Sequence, residues 1–432
     1  MGQAAQAPSG TRDFLADELR RRKSAIAAVS DVFERYGFDP LETPAFERLD
    51  VVTGKYGEEA ASLLFKILRR GVHETSGQAD LALRYDHTVP LARVIGTHGS
   101  KLPSPFKRYA IGPVWRADRP QEGRFREFVQ CDVDTVGSHS PLADAEIVYA
   151  VAHALEALGI ADFRFLVNSR EALRGLLEVY GVEAALGDGV LATLDKLDKV
   201  GTEAVVAELA ERGVSAATAE SMIADIAADS PDRIRAKLEA NPRGKQGLAE
   251  VDRLLELTSG LQGRTAFAPR MVRGLDYYTG AIWEVEAAGY PGAVAAGGRY
   301  DRLVAALGGP DVPAVGGSVG IERILAMREP APEDEPGLDV ALTVLDGGEA
   351  DLMRLAHELR RSGLRVGTYL GSSSKLARQL KWANDRNARL AVIRGAGEQA
   401  AGEMAVRDMA SGEQQRVPDA DAVAGIQRLL RG

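Results

Sequence analysis

The chain has 432 residues, a formal net charge of −9 and a single cysteine, Cys131. That length exceeds one typical hydrophobic core, so two or three domains are expected. The acidic balance argues against a general nucleic-acid binder held by a broad basic surface, and one cysteine excludes an internal disulfide and a multi-cysteine metal site.

The N-terminus, M-G-Q-A-A-Q-A-P-S-G, has no basic start followed by an apolar stretch, and no run of about 18 apolar residues occurs anywhere. A reducing cytoplasm is the expected home. In residues 18–36, Ile26, Val29, Phe33 and Tyr36 recur at helical spacing and Gly37 follows as a stop, which predicts the first helix. Strand-like runs follow at 82–85 and 107–111. Residues 104–137 read strand, charged loop, strand, which predicts a long antiparallel hairpin. From about Arg170 to about Gln262 Leu, Ala, Glu and Lys recur at helical spacing, which predicts a helical insertion. Strand-like sequence resumes at 265–285, and M-V-R-G-L-D-Y-Y-T-G, residues 271–280, reads as a strand whose faces alternate between Arg273 with Tyr277 and Asp276 with Tyr278. The unit V-P-A-V-G-G-S-V-G-I-E-R-I-L-A-M is a strand leading into a helix. Residues 328–337, R-E-P-A-P-E-D-E-P-G, form a solvated linker. Beyond it, V-A-L-T-V-L, R-V-G-T-Y-L and L-A-V-I-R-G alternate with helices at 349–362 and 375–386, and a third helix ends the chain. That is a small α/β domain on a parallel or mixed sheet, residues 338–432.

Several motifs fail on context. Gly316-Gly317-Ser318-Val319-Gly320 matches G-x-S-x-G, but only His357 follows Ser318, in the amphipathic helix of the C-terminal domain. G-S-S-S-K at 371–375 lacks the phosphate-loop spacing, and no G-x-G-x-x-G follows a first strand. The six histidines are scattered, with no pair at metal-ligand spacing. What remains is an arginine and carboxylate constellation on strands: Asp86 and Thr88; Arg116, Arg124, Gln130 and Asp134; Arg273, Tyr277 and Tyr278; Arg323. Arginines suit phosphates, short acceptors suit an ammonium, and a phenol with a carboxylate suits a polar side chain.

These segments resemble the histidyl-tRNA synthetase family of class II aminoacyl-tRNA synthetases. F-D-P-L-E-T-P-A-F-E is similar to motif 1, and W-R-A-D-R-P-Q-E-G-R-F-R-E-F is similar to motif 2. L-R-Y-D-H-T-V-P-L-A-R resembles the amino-acid-binding segment, and G-I-E-R-I-L resembles motif 3. V-R-G-L-D-Y-Y-T-G and A-A-G-G-R-Y-D mark the histidyl branch. The resemblance implies an α+β fold. A class II antiparallel-sheet catalytic core, 1–327, would carry a helical insertion at about 170–262. A C-terminal α/β anticodon-binding domain would follow.

The resemblance further implies a ligase that joins L-histidine to tRNA(His) through an adenylate, using ATP and Mg2+, as a homodimer through motif 1. Arg116 and Arg273 would be catalytic, touching histidine and flanking the α-phosphate. Asp86, Thr88 and Gln130 would hold the ammonium, and Asp134 with Tyr278 the imidazole, in a pocket lined by Tyr277. Phe128 and Arg323 would sandwich the adenine, and Arg124 would reach the terminal phosphates. The magnesium would sit mainly on triphosphate oxygens. The alternatives are a regulatory subunit of ATP phosphoribosyltransferase and a ligase that places histidine on another acceptor.

Overall fold

The computed structural model describes residues 5–53, 62–71, 76–120, 124–228, 230–272, 277–327, 337–345 and 348–431. The chain divides into two compact units, Met1–Glu329 and Pro330–Gly432.

The first unit is built on an eight-stranded sheet. Its strands are β1 Asp39–Pro40, β5 Phe106–Trp115, β6 Glu127–Val136, β7 Phe163–Ser169, β8 Thr265–Phe267, β9 Ala281–Ala287, β10 Ala295–Arg299 and β11 Ala314–Val319, in the order β1-β5-β6-β11-β10-β9-β7-β8. The six strands from β5 to β7 pair antiparallel, while β1 and β8 add to the edges in parallel. The predicted hairpin is therefore present. Tyr109 pairs with Val133 and Gly112 with Gln130.

Alternation along β6 explains the two faces of this sheet. Val129, Cys131 and Val133 are buried toward the helices Ala16–Arg35 and Pro141–Ala157, which pack under it. Gln130, Asp132 and Asp134 point the other way. The glycine pairs of β10 and β11 serve both faces. A Cβ on Gly317 would lie 2.5 Å from the Trp283 ring on the helix side, and one on Gly316 would lie 1.9 Å from Asp134 Oδ1 on the other.

A smaller sheet of β2 Phe46–Arg48, β3 Lys66–Leu68 and β4 Ala79–Leu83 runs β2-β4-β3, all antiparallel. The helical segment joins β7 to β8. Because these strands pair in parallel, it is a crossover rather than a free appendage. Its first helix, Arg170–Val179, is capped by Ser169, whose Oγ accepts from Glu171 N at 3.1 Å. Its last, Pro242–Leu257, packs on that first helix and on β7.

The second unit holds a five-stranded mixed sheet. Its strands are β12 Val340–Leu342, β13 Val366–Thr368, β14 Leu390–Ile393, β15 Glu403–Asp408 and β16 Gln414–Pro418, ordered β13-β12-β14-β15-β16. The first three are parallel and the last two antiparallel. The helices Glu349–Arg361 and Leu376–Asp385 lie where the periodicity predicts, and Ala422–Arg431 ends the chain.

Candidate active site

The site is assembled on the face of the first unit's sheet opposite its two long helices. Side chains there are small wherever the register allows. Ala110 and Gly112 lie opposite Asp132 and Gln130, Gly316 and Ser318 opposite Asp134 and Asp132, and Ala296 and Gly298 continue the row. These missing side chains leave a floor from which three acceptors rise. Asp134 Oδ2 is engaged by an ion pair, whereas Gln130 Oε1 and Asp132 Oδ1 are buried without a hydrogen-bond partner. Buried acceptors of this kind cost roughly 1–3 kcal/mol each unless a ligand satisfies them.

Asp134 is the best tied of the three. Tyr300 donates its hydroxyl to Oδ1, and Arg108 Nη2 lies 2.8 Å from Oδ2 in a fully buried ion pair. Burial pushes the Asp134 carboxyl up to about 6, against the pull of Arg108. Burial also raises Asp132, with Arg108, the Ser318 hydroxyl and the His87 backbone N–H opposing it. Tyr277 and Tyr300 are raised well above the ordinary phenol range by burial. Their rings and that of Tyr278 form one wall, with Tyr277 centred 4.8 Å from Tyr278 and 6.0 Å from Tyr300.

The loop after β4 closes one end. Asp86 Oδ1 accepts from the backbone of Thr88 at 3.1 Å and Val89 at 3.0 Å, so it caps the helix Thr88–His98. His87 turns inward, its Nε2 3.1 Å from Gly112 O. Burial first, then Arg108 and Arg84, lower its pKa to about 3, so it is neutral and donates to that carbonyl.

At the other end of the floor the cations gather. Arg116 donates from Nε to Tyr85 O at 3.2 Å and lies 4.3 Å from the Tyr85 ring and 5.1 Å from the Phe128 ring. Arg124 pairs with Asp118 at 2.9 Å. Arg323, on the helix Ile321–Met327, donates to Ala293 O, and burial and then Arg124 lower its pKa, which Glu284 opposes. Two guanidinium groups thus share one region.

The structure brings together Asp86, Thr88, Arg116, Gln130, Asp134, Tyr277 and Tyr278 around this floor, with Arg124, Phe128 and Arg323 at its cationic end. Arg273 falls outside the described residues. The expectation that the constellation sits on strands is corrected in part. Tyr277 and Tyr278 lie in the connection between β8 and β9, Asp86 in a loop, Thr88 at the start of a helix and Arg323 within one. Buried aromatic stacking rather than a ladder holds the tyrosines. Ser318 lies in β11, two residues before Gly320 and the turn into the helix Ile321–Met327, and accepts from Gln130 Nε2 at 3.5 Å.

Sequence reasoning missed Asp132, Arg108, His87 and the role of Tyr300. The alternation Q-C-D-V-D at 130–134 could have found Asp132, because period two puts it beside Gln130 and Asp134.

The family model described as histidyl-tRNA synthetase matches residues 10–324, and one described as an anticodon binding domain matches 339–429. A histidine–tRNA ligase of Gloeobacter violaceus is 40% identical, with 98% of each chain covered. The crystal structure of histidyl-tRNA synthetase from a Nostoc species is similar at a TM-score of 0.78 and 29% identity, over 99% of this chain and 100% of that one. The structure of an ATP phosphoribosyltransferase regulatory subunit/histidyl-tRNA synthetase from Bacillus halodurans shares the fold, at 0.71 and 22% identity over 88% of this chain and 97% of that one. With its sheet, its glycine-floored site and both family matches in place along its length, the chain belongs to the histidyl-tRNA synthetase family.

Proposed function

We propose that this protein joins L-histidine to tRNA(His) by way of a histidyl-adenylate, releasing pyrophosphate and then AMP. The observation that carries the reading is the pair of buried acceptors on β6 that lack a hydrogen-bond partner, Gln130 Oε1 and Asp132 Oδ1, beside the Asp134 carboxylate held by Arg108 and Tyr300. Free histidine brings the matching donors, an ammonium and an imidazole N–H. Its carboxylate is ionised at neutral pH, so it attacks the α-phosphorus of ATP without a general base. One bond forms from carboxylate oxygen to phosphorus as the bond to the pyrophosphate oxygen breaks. A ribose hydroxyl of the tRNA then attacks the activated carbonyl and AMP leaves.

What this chain's residues supply is alignment and fixed positive charge. Asp86, Thr88 and Gln130 take the ammonium end, Asp134 and Tyr278 the imidazole, and Tyr277 lines the pocket. Arg116 and Arg273 flank the α-phosphate, Arg124 reaches the terminal phosphates, and Phe128 with Arg323 brackets the adenine. No cluster of three metal-ligating side chains occurs among the described residues. Magnesium would bind mainly through triphosphate oxygens, as it prefers. Carried there, it would neutralise phosphate charge. The division of labour follows the two units, activation in residues 1–327 and tRNA reading in 338–432; the linker expected at 328–337 lies, but for its last residue, outside the described residues.

Phe46, in the motif 1 segment, is 50% exposed and Leu68 on the same small sheet 54%, which supports a homodimer face there. No described helix is long and apolar enough to cross a membrane. A reducing cytoplasm suits the buried free thiol of Cys131.

The test is ATP–pyrophosphate exchange with histidine and, as controls, the other amino acids. Exchange with histidine alone supports the reading. No exchange from folded protein would sink it in favour of a regulatory role.

A further inference from the structure

Asp132 and Asp134 stand on one face of β6, both essentially buried, and a single buried cation meets them from the neighbouring strand. Arg108 on β5 lies opposite Asp134 in the register and has no solvent exposure. Its Nη2 is 2.8 Å from Asp134 Oδ2 and also donates to His87 O at 3.1 Å. His87 is the residue between Asp86 and Thr88, and its backbone N–H faces Asp132. One guanidinium therefore touches the carboxylate at one end of the pocket and the loop at the other.

We propose that Arg108 is a positioning residue that ties the imidazole-reading carboxylate to the ammonium-reading loop and supplies the charge that keeps that carboxylate an acceptor. The inference rests on reading the site as a histidine pocket. The ionisable groups that face Asp134 are Arg108 from β5, Asp132 from its own strand, Tyr300 from the end of β10 and Asp86 from the loop. Among them only Arg108 is cationic. With its charge gone, burial and the two other carboxylates all favour a proton on Asp134. A protonated carboxyl offers a donor where the imidazole N–H needs an acceptor, so recognition weakens at neutral pH and recovers as the carboxyl ionises. The same loss frees His87 O and loosens the loop, a part that does not depend on pH.

The experiment is histidine-dependent ATP–pyrophosphate exchange by the full-length protein, with KM for histidine and for ATP measured from about pH 6 to about pH 9. Comparison with wild type at each pH cancels the titration of histidine itself. Arg108→Met is expected to raise the histidine KM about tenfold at pH 7, with the excess shrinking at least about threefold toward pH 9. KM for ATP should move less than about twofold, and Arg108→Lys should retain the wild-type pH profile. A variant-to-wild-type ratio that is flat across pH, or a KM for ATP that rises in step, overturns the proposal.

Should Arg108→Met fail to fold, the pair Arg108→Met with Asp134→Asn removes both buried charges together. Its histidine KM, divided by that of Asp134→Asn alone, should then be constant across pH. A pH-dependent ratio would mean that Arg108 acts through some other group and overturns the proposal. If wild type shows no histidine-dependent exchange, the pocket reading itself has failed. If wild type exchanges and Arg108→Met is flat, only the role of Arg108 falls.

Discussion

Two buried side chains of the site, His87 and Asp134, pull the pH dependence of stability in opposite directions. His87 is lowered to about 3 in the folded chain, so between there and its ordinary 6.5 only the unfolded chain takes up its proton. The stability this contributes is present above pH 6.5 and is lost as pH falls toward 3, on the order of 5 kcal/mol in all. Asp134 is raised to about 6, so between 3.8 and 6 the folded chain keeps a proton that the unfolded one has released. Its contribution favours the fold in acid and is lost as pH rises through that window, on the order of 3 kcal/mol. His87→Gln is therefore expected to flatten the fall in denaturation midpoint between pH 7 and pH 4.5, and Asp134→Asn to steepen it. Urea titrations at the two pH values decide, and equal slopes in both variants would refute the assignment. Little of this was legible in the sequence. His87 reads as one of six scattered histidines, because nothing local says that it turns under the sheet onto Gly112 O.

The elements depend on close approach at glycine. A Cβ on Gly316 would meet Asp134 Oδ1 at 1.9 Å and Val133 O at 3.0 Å, neither of which has slack inside a paired strand. Gly316→Ala should therefore raise the histidine requirement by about tenfold or more while leaving ATP binding intact, checked by the two KM values in exchange. In the helical crossover, a Cβ on Gly247 would come within 2.0 Å of Ala172 N, and one on Gly175 within 2.3 Å of Gly244 N. The helices Arg170–Val179 and Pro242–Leu257 thus pack backbone to backbone. Gly247→Ala should cost roughly 1–3 kcal/mol, read as a drop in melting temperature without a change in the histidine KM. The existence of these elements was legible, since helical spacing at 18–36, 349–362 and 375–386 and the hairpin at 104–137 follow from period alone. Strands β15 and β16 were not. E-M-A-V-R-D and Q-Q-R-V-P carry charges and a proline that suit an antiparallel edge, and such segments look like loop until the partner strand is known. The tyrosines at 277 and 278 misled in the opposite sense, because aromatic residues favour strands on average and here pack as a wall.

At the scale of the molecule, each unit has a core of its own. One apolar cluster runs from Ala25 to Ile324, and two smaller ones lie between Val340 and Ile426. Cutting at the Pro-rich run should leave residues 1–329 folded and competent in histidine-dependent exchange, yet unable to charge tRNA at the rate of the full chain. Loss of exchange in that fragment would show that activation needs the second unit. The acidic run leads the sequence to expect a boundary at 328–337, and the compact units divide at Glu329, whereas the site could be read only in outline. Its arginines and tyrosines announce themselves by type, but Arg108 and Asp132 look like ordinary strand residues until the register sets them face to face.

The pocket exists because Gly298 and Gly316 contribute nothing to it. A glycine can be exchanged only for something larger, so chance substitution at these two positions runs one way, toward a filled floor. A descendant of this gene released from the need to activate an amino acid would keep its fold and lose its cavity early, since the added methyl groups would land on Asp134 and against the Tyr278 ring. These two glycines therefore work as a record of use. Where both remain in a divergent copy, the pocket is still being kept open, and where either has been filled, the copy has been put to other work.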